Sequence, residues 1–333
     1  MTDKQMKTRR IGRTALEVTE TGFGGAAIGG LYRACARDTA MTTLQGAWDA
    51  GIRYFDTAPF YGFGLSERRF GDFLRDKPGG SYVLSTKVGR LLTPVPDDQV
   101  PDHGYVEPLP FRVDYDYSYD AIMRSVEFSY ARLGLNKIDI LFVHDIGVHT
   151  HGVEKTKIHF RQLMDSGIKA LEELKSSGAI SAYGLGVNEV QICLDVMAQA
   201  PLDCILLAGR YSLLDRSAEA ELLSRCAEAR TSLVIGGVFN SGILATGAVP
   251  GSNFDYGPAT PETLDRVASM ERVAAAHNVP LAAAALAFPL RKPAVATVLL
   301  GTAKPSSLER NLELLTMKVP DAAFADFEPF TLR

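Results

Sequence analysis

The segment IDILFVH, residues 138–144, is a nearly continuous apolar run that ends in a polar side chain. Such a run is typical of a strand that is buried on both faces of a parallel sheet. The pattern recurs in IRYFD (residues 52–56) and YVLSTK (residues 82–87). Five further segments share it, although the first of them is weaker: 21–27, 180–187, 203–207, 233–238 and 295–300. The sequence therefore predicts eight buried strands.

Amphipathic segments fill the intervals between these strands. In residues 119–133 the apolar positions recur at helical spacing, and Gly134 follows as a stop signal. Similar helices are predicted at 38–50, 166–177, 217–230, 261–277 and 306–315. The alternation of strand and helix predicts a parallel sheet. The length of 333 residues and the lack of a proline- or serine-rich hinge favour one (β/α)₈ TIM barrel, a single domain over residues 1–333, with a doubly wound open sheet as the alternative.

Three connections stand apart from this alternation. Residues 7–18 predict a short N-terminal hairpin with Gly12 at its turn, which would plug the bottom of the barrel. Two connections, 88–117 and 145–161, are longer than the architecture requires, and both follow strand C-termini, where barrels build active sites. The first is rich in proline and aromatic residues, and the second contains three histidines. We therefore expect long loops at the C-terminal face that form the walls of a substrate site.

Composition and charge argue against several classes of protein. The formal net charge of −4 gives no overall attraction to nucleic acid or anionic membranes, so the expected partner is a small-molecule substrate. The longest apolar run, 281–290, is too short to span a bilayer, and the polar start MTDKQMKTRR lacks a signal-peptide pattern, which predicts a cytoplasmic protein. The four cysteines form no C-x-x-C pair, and His149 and His151 have no carboxylate cluster beside them. No metal site is therefore expected.

Four polar side chains stand at or just beyond predicted strand ends: Asp56, Tyr61, Lys87 and His144. A lysine beside a carboxylate stays charged, and a charged lysine beside a tyrosine lowers the pKa of the phenol below its usual value of about 10. Such a tyrosine can exchange a proton with an alcohol or carbonyl oxygen, which a histidine can orient. Each residue alone has a structural explanation, but the four together predict a metal-free proton-transfer site. The natural partner of such a site is a hydride carrier.

The glycine-rich segment GFGGAA, residues 22–27, imitates the dinucleotide-binding motif of a Rossmann fold. That motif requires a helix immediately after the glycines and an acidic residue about 20 positions further on. Here the chain stays rich in glycine until Arg37, and Asp56 lies too far downstream. We therefore expect these glycines to let the backbone approach a cofactor or substrate in the barrel.

Several motifs together resemble the aldo-keto reductase family over nearly the whole chain. The matching stretches are GIRYFDTAPFYG with LSERRFG after it, LSTKVGR, RLGLNKIDILFVHD and GTAKPSSLERN. The resemblance implies the barrel fold, an NAD or NADP cofactor, and a catalytic tetrad at Asp56, Tyr61, Lys87 and His144. Within the family, APFYGFGLSERR and GGVFNSGILATG resemble the branch that contains sugar 1-dehydrogenases, of the D-threo-aldose or L-fucose type, and pyridoxal 4-dehydrogenases.

This branch implies an NAD(P)-dependent dehydrogenase that oxidises the anomeric C1 hydroxyl of an aldose to a lactone by hydride transfer. Tyr61 would then be the proton acceptor and donor. A pyridoxal 4-dehydrogenase that acts on the cyclic hemiacetal of pyridoxal is the first alternative. A nicotinamide-binding regulatory subunit with little turnover is the second, although a sensor does not need Lys87 beside Tyr61.

The resemblance also implies which residues bind the cofactor. Asn188 matches the asparagine that binds the carboxamide, and Tyr211 is the proposed stacking residue because the family's usual aromatic falls at Gly236. The loop over the pyrophosphate is implied at Phe239, Asn240, Ser241 and Gly242. The adenosine end is implied at Gly301, Thr302, Ser307, Arg310 and Asn311. Because a 2′-phosphate needs a cationic partner, and Gly301 and Ser307 are neutral where the family often has a base, NAD is expected to be preferred over NADP.

Overall fold

The structure is a computed structural model that describes residues 6–333 of the chain. Residues 1–5, the first half of the polar N-terminal segment, lie outside the described residues. In chain order the strands are β1 (Thr8–Arg10), β2 (Glu17–Thr19), β3 (Thr21–Gly24), β4 (Tyr54–Asp56), β5 (Val83–Val88), β6 (Arg90–Pro94), β7 (Phe111–Tyr115), β8 (Ile140–His144), β9 (Ala182–Val187), β10 (Cys204–Ala208), β11 (Ser232–Gly236), β12 (Asn253–Phe254), β13 (Gly257–Pro258) and β14 (Val295–Gly301). The α-helices are α1 (Arg37–Asp49), α2 (Leu65–Leu74), α3 (Tyr119–Leu133), α4 (Val148–Gln162), α5 (Ile168–Ser176), α6 (Val190–Met197), α7 (Leu222–Ala229), α8 (Ile243–Thr246), α9 (Pro261–Ala276), α10 (Leu281–Ala287), α11 (Pro305–Leu315) and α12 (Asp321–Phe327).

Eight parallel strands close into one barrel in the order β3, β4, β5, β8, β9, β10, β11 and β14. Pairing of Val298 in β14 with Thr21 in β3 closes the ring. Side chains along each strand alternate between two cores: in β8, Phe142 packs inside the barrel, whereas Val143 packs against the helices outside. Each predicted strand corresponds to one barrel strand, so the (β/α)₈ prediction is confirmed and the open-sheet alternative is wrong.

Local sequence signals set several helix boundaries. The Thr260 hydroxyl accepts a hydrogen bond from the backbone N–H of Thr263, and Pro261 occupies the first turn, so α9 begins there. At the other end of α3, Gly134 adopts a left-handed conformation with φ of 61°, which ends the helix. After α3 ends at Gly134, the chain enters β8, which runs parallel to the other barrel strands toward the face that carries the candidate site.

The predicted N-terminal hairpin is present and plugs the bottom of the barrel. Strands β1 and β2 pair antiparallel. Ile11 and Val18 are buried in the interior core cluster, together with side chains from the barrel strands. Gly12 has a φ of 53°, and a Cβ atom there would lie 2.4 Å from the carbonyl oxygen of Asp203. Only glycine therefore fits this turn without displacing the backbone.

The two long connections are more regular than the sequence indicated. Residues 88–117 contain the antiparallel pair β6 and β7. Most of residues 145–161, predicted as a loop, forms helix α4, which is interrupted at Gly152. Most apolar side chains of this helix, Val148, Val153 and Ile158, are exposed, and only Phe160 packs against the core, so the segment lacks the apolar stripe that would reveal a helix.

Over residues 6–333 no single helix is long and apolar enough to cross a membrane. The segments Pro261–Ala276 and Leu281–Arg291 reach that length and apolarity only together, and they are bent by 94° where they join. In the same part of the chain, no three His, Cys, Asp or Glu side chains come together in a way that could hold a metal ion. All four cysteines are buried free thiols.

Candidate active site

Three neighbouring strands deliver the predicted tetrad to the C-terminal end of the barrel. Asp56 is the last residue of β4, and His144 is the last residue of β8. Lys87 is the penultimate residue of β5, which lies between those two strands. The parallel register brings all three side chains into the same mouth. Tyr61 lies in the turn after β4 and is half-buried.

A buried ion pair forms the base of the tetrad. Lys87 Nζ lies 2.7 Å from Asp56 Oδ2 and also donates to the backbone carbonyl of Thr57 at 2.9 Å. The hydroxyl of Ser85 donates to the other carboxylate oxygen of Asp56 at 2.7 Å. Asp56 and Lys87 are each 1% exposed. Loss of either partner would therefore leave an uncompensated charge in a dry environment.

Tyr61 and His144 face each other beside this ion pair. Lys87 Nζ lies 4.5 Å from the centre of the Tyr61 ring. The centroids of the Tyr61 and His144 rings are 5.9 Å apart, with the rings nearly perpendicular. The structure therefore brings the four residues together, while their catalytic roles stay predictions.

The pKa of Tyr61 differs from the sequence-based expectation. Burial raises the pKa of this phenol well above its usual value, and the nearby Asp56 carboxylate raises it further. The predicted lowering by Lys87 was wrong for the free protein, because the ammonium group is matched by Asp56 and the pair presents little net positive charge to the phenol. Tyr61 is therefore a protonated phenol at neutral pH.

Burial also sets the charge states of the other three residues. It raises the pKa of Asp56 and lowers the pKa of Lys87, and the contact between the two groups opposes both shifts. Burial lowers the pKa of His144 well below its usual value, with further lowering by the cations Arg90 and Lys87. His144 is therefore a neutral imidazole that can donate a hydrogen bond without carrying a charge.

The tetrad opens on a cavity of about 390 Å³, which we call the tetrad pocket. Besides Tyr61, Lys87 and His144, its lining includes Tyr32, Phe60, His103, Tyr105, Asp145, Asn188 and Tyr256. The rings of Phe60 and Tyr105 meet edge to face with centroids 5.4 Å apart and form an aromatic wall. His103 and Tyr105 come from the long connection after β5, whereas the connection after β8 contributes Asp145 to this lining. A lining that combines aromatic rings with polar groups suits a ring-shaped polar substrate.

A second cavity of about 390 Å³ adjoins the first, and we call it the glycine-lined cleft. Its glycines stand at or near the ends of four barrel strands: Gly24, Gly25, Gly209, Gly236, Gly237, Gly242 and Gly301. The space where a Cβ would lie is open at Gly242 and Gly301. Exposed backbone and missing side chains let an extended ligand lie against the main chain, as the sequence analysis expected for 22–27. The cleft therefore fits a dinucleotide whose reactive ring reaches Tyr61, which lines both cavities.

Several of the predicted cofactor residues lie in these two cavities. Phe239, Ser241 and Gly242 line the glycine-lined cleft, and Asn188 lines the tetrad pocket. The side-chain oxygen of Asn188 accepts a 3.3 Å hydrogen bond from the hydroxyl of Tyr256, so its amide nitrogen is directed away from that contact. These four residues remain candidates for cofactor binding.

Asn240 also lines the cleft, but its side chain is hydrogen-bonded within the protein. Its amide nitrogen donates to the carbonyl of Gly209 at 3.0 Å, and its oxygen accepts a hydrogen bond from the hydroxyl of Ser212. The residue is 4% exposed. The Asn240 side chain therefore fixes the loop after β11 against the loop after β10, and only its backbone is free to meet a ligand.

Tyr211 does not lie where the stacking prediction requires it. Its ring is completely buried and packs against Phe288, with centroids 5.1 Å apart, in the core between the barrel and its helices. The chain turns at Gly209, which has a φ of 74°, and this turn carries Tyr211 away from both cavities. Tyr256 lines both cavities instead, at the tip of the β12–β13 hairpin.

The predicted adenosine-binding residues cluster around the start of α11. Gly301 ends β14 and lines the glycine-lined cleft. The hydroxyl of Thr302 accepts a hydrogen bond from the backbone N–H of Lys304 at 3.1 Å and shapes the turn into the helix. Ser307 and Asn311 are half-buried on α11, and Arg310 is exposed. Lys304 is also exposed, so two cationic side chains, Lys304 and Arg310, lie near this end of the cleft.

Sequence reasoning did not single out two features of the site. Asp145 turns its carboxylate into the tetrad pocket, where Arg90 holds it at 2.5 Å. The β12–β13 hairpin covers both cavities and is fastened by an ion pair of 2.7 Å between Arg210 and Asp255. A carboxylate directly after the strand-ending histidine was a usable signal for Asp145. The two-residue strands of the hairpin gave no comparable signal.

A barrel that places a protonated phenol and a neutral imidazole beside a glycine-lined cleft fits the class of nicotinamide-dependent oxidoreductases. The model of the Aldo/keto reductase family matches residues 20–330. The chain belongs to the aldo/keto reductase family.

Relatives and solved structures agree with this assignment. The chain is 45% identical over 328 residues to a pyridoxal 4-dehydrogenase from Microbacterium luteolum, covering 96% of this chain and 95% of that protein. It is 38% identical over 316 residues to a D-threo-aldose 1-dehydrogenase from a Pseudomonas species, covering 93% of each. The fold matches a holo aldo-keto reductase from Bacillus halodurans with a TM-score of 0.77 at 23% identity, over 98% of this chain and 97% of that one. The enzyme is therefore an NAD(P)-dependent oxidoreductase, as predicted.

Proposed function

We propose that this enzyme is a single-domain dehydrogenase that oxidises the anomeric C1 hydroxyl of an aldose to a lactone, with NAD as the preferred acceptor. The observation that carries the proposal is the tetrad pocket, where the Tyr61 phenol and the neutral His144 face the same space beside the glycine-lined cleft. Polar groups at Asp145 and Asn188 add contacts that a polyhydroxylated ring can use. Similarity to an aldose 1-dehydrogenase supports the same substrate class.

In this proposal each tetrad residue has a defined task. His144 donates a hydrogen bond to O1 of the sugar and holds C1 in the mouth of the barrel. The Tyr61 oxygen, once it has lost its own proton, accepts the proton of the C1 hydroxyl as the C1–O1 double bond of the lactone forms. Asp56 and Lys87 hold the base of the site and keep its charges paired. The bound nicotinamide supplies the acceptor for the hydride that leaves C1.

The cofactor would be held by residues of the glycine-lined cleft. We assign the pyrophosphate to the loop at Phe239, Ser241 and Gly242, and the carboxamide to Asn188. The adenosine end is assigned to Gly301 and to the start of α11. Tyr256 is our candidate for the aromatic contact to the nicotinamide, because it reaches both cavities, whereas Tyr211 reaches neither.

Pyridoxal is the second candidate substrate, and two observations favour it. The Phe60 and Tyr105 rings form a wall that suits a flat aromatic ring. The chain is also 45% identical to a pyridoxal 4-dehydrogenase. The chemistry is the same, since the cyclic hemiacetal of pyridoxal carries a hydroxyl that is oxidised to a lactone.

Cofactor reduction, followed at the absorbance of reduced nicotinamide, tests the proposal. The purified enzyme would be offered D-arabinose, L-fucose, L-galactose and pyridoxal, each with NAD and with NADP. We expect aldose oxidation with lactone as the product. Oxidation of pyridoxal alone would replace the proposal with the second candidate. If a fluorescence titration shows that reduced cofactor binds but no substrate is turned over, the protein would be the regulatory subunit instead.

NAD should give a higher kcat/KM than NADP, because desolvating a 2′-phosphate beside the neutral Gly301 and Ser307 is costly without a cationic partner. Ser307→Arg should raise kcat/KM for NADP relative to NAD by about tenfold or more, the effect of one new charge-assisted hydrogen bond. Ser306→Arg, at the exposed neighbouring position, is the matched control and should leave the ratio near its original value. A clear NADP preference of the unmodified enzyme would mean that Lys304 or Arg310 binds the phosphate.

A further inference from the structure

Asp145 occupies an unusual place at the mouth of the barrel. It directly follows His144 and adopts a left-handed backbone conformation with φ of 42°, which is uncommon for a residue with a side chain. The conformation is held from two sides. The backbone N–H of Asp145 donates to the carbonyl of Gly186 at 2.9 Å, and the hydroxyl of Tyr117 donates to the carbonyl of His144 at 2.8 Å. A strained backbone that is fixed in this way is a common mark of a functional position.

In this backbone conformation the carboxylate lines the tetrad pocket, where Arg90 holds one of its oxygens. Arg90 Nη2 lies 2.5 Å from Asp145 Oδ2, and the guanidinium stacks on the ring of Phe60 at 4.0 Å. The arginine side chain is 4% exposed, whereas the aspartate side chain is 15% exposed and lines the pocket. Both contacts of the carboxylate, with Arg90 and with His144, involve Oδ2, and within the part of the chain that the structure describes no donor reaches the second oxygen, Oδ1. Arg90 thus fixes one carboxylate oxygen, Oδ2, while the other, Oδ1, is free to accept a hydrogen bond from a ligand.

The position of this carboxylate relative to His144 defines what it can bind. Asp145 Oδ2 lies 3.4 Å from Nε2 of His144, the residue to which the proposed function assigns O1 of the substrate. Vicinal oxygens of a sugar ring lie about one hydrogen-bond length apart, so a ligand with O1 on His144 brings its next hydroxyl to Asp145. A carboxylate accepts hydrogen bonds and cannot donate them, which matches a hydroxyl and excludes a carbonyl at that place.

We propose that Asp145 is a specificity-determining residue that binds the C2 hydroxyl of the aldose. The inference rests on the proposed aldose dehydrogenase activity and adds to it the requirement for a free hydroxyl next to the reacting carbon. Arg90 acts through Asp145 as a positioning residue, because it fixes the direction of the carboxylate without lining the pocket itself. A 2-deoxy sugar leaves the open oxygen of the Asp145 carboxylate without a hydrogen-bond donor and is therefore a poor substrate.

Matched sugar pairs that differ only in the C2 hydroxyl test this assignment. D-arabinose with 2-deoxy-D-ribose and L-fucose with 2-deoxy-L-fucose are two such pairs. The readout is the ratio of kcat/KM for the hydroxylated sugar to kcat/KM for its deoxy partner. Comparing this ratio between variants cancels the intrinsic reactivity of each sugar. If Asp145 had a purely structural role, its replacement would lower kcat/KM for both sugars of a pair equally and leave the ratio unchanged.

The double variant Asp145→Gly with Arg90→Met removes the whole ion pair, so no buried charge is left alone. Glycine also accepts the left-handed backbone of residue 145. We expect this variant to lower the ratio by about ten- to a hundredfold, the effect of losing one hydrogen bond to a charged group. Asp145→Asn tolerates the same backbone and keeps a neutral acceptor, so a smaller drop of about three- to tenfold is expected.

The outcomes separate this inference from the proposed function. Oxidation of aldoses with a ratio that is unchanged in both variants would overturn the role of Asp145 and leave the proposed function intact. If the double variant does not fold, the Asp145→Asn variant decides alone, since an unchanged ratio there overturns the assignment. Failure of the wild-type enzyme to oxidise any aldose would overturn the proposed function and the C2 assignment with it.

Discussion

Replacing Tyr61 with phenylalanine is expected to lower the turnover of aldose oxidation by about 10²- to 10⁴-fold, the usual contribution of a positioned proton acceptor. The change removes one oxygen and little volume. The glycine-lined cleft stays intact, so reduced cofactor should bind nearly as well as before. Steady-state kcat together with a fluorescence titration of the reduced cofactor measures both quantities. Turnover close to that of the unmodified enzyme would remove Tyr61 from the mechanism.

The pH profile adds an independent check on the same residue. Burial raises the pKa of Tyr61 well above its usual value, so the phenol is protonated at neutral pH and only its scarce deprotonated form can accept a proton. Oxidation by the unmodified enzyme should therefore accelerate by up to about tenfold per pH unit from neutral into alkaline solution, whereas reduction, which uses the protonated phenol, should change little until the pH approaches the raised pKa of Tyr61. Tyr61→Phe should lose this dependence. Tyr130→Phe, on outer helix α3, is the matched control and should keep it.

Lys87→Met is expected to destabilise the fold by about 3–5 kcal/mol, because it leaves the Asp56 carboxylate buried without its partner. Turnover should fall as well, since the ammonium group beside Tyr61 is lost and the Asp56 carboxylate no longer has a counter-charge. Urea unfolding followed by circular dichroism gives the free energy of unfolding. The double variant Asp56→Asn with Lys87→Met removes both charges and should recover much of the lost stability. If the single variant is as stable as the unmodified enzyme, the ion pair does not have the role assigned to it.

The barrel could be predicted from the sequence because its strands carry their own signal. A strand such as β8 is buried on both faces and therefore appears as a continuous apolar run. Helix α4 carries no such signal, since its apolar side chains Val153 and Ile158 face solvent. The β12–β13 hairpin consists of two-residue strands whose position depends on the distant contact between Arg210 and Asp255. Contacts of this kind become visible only when the chain is folded.

The site was predictable to a similar extent. Residues at strand ends must meet at one face of the barrel, so the grouping of Asp56, Lys87 and His144 followed from their positions in the sequence. The direction of the Tyr61 pKa shift did not follow, because burial is a property of the folded environment and here outweighs the neighbouring lysine. Tyr211 was misplaced because the backbone turn at Gly209 decides where its ring points.

The residues proposed for catalysis and those proposed for cofactor binding lie on two different arcs of the barrel. The residues proposed for chemistry and sugar recognition stand on β4, β5 and β8, whereas the glycine-lined cleft is built mainly at the ends of β3, β10, β11 and β14. The two arcs meet at Tyr61 and at Tyr256. Asp145 lines the tetrad pocket, whereas Ser307 lies on α11 and lines neither cavity, and substitutions at distant, independent sites combine additively. Sugar choice and cofactor choice can consequently evolve, or be engineered, as separate traits on one scaffold.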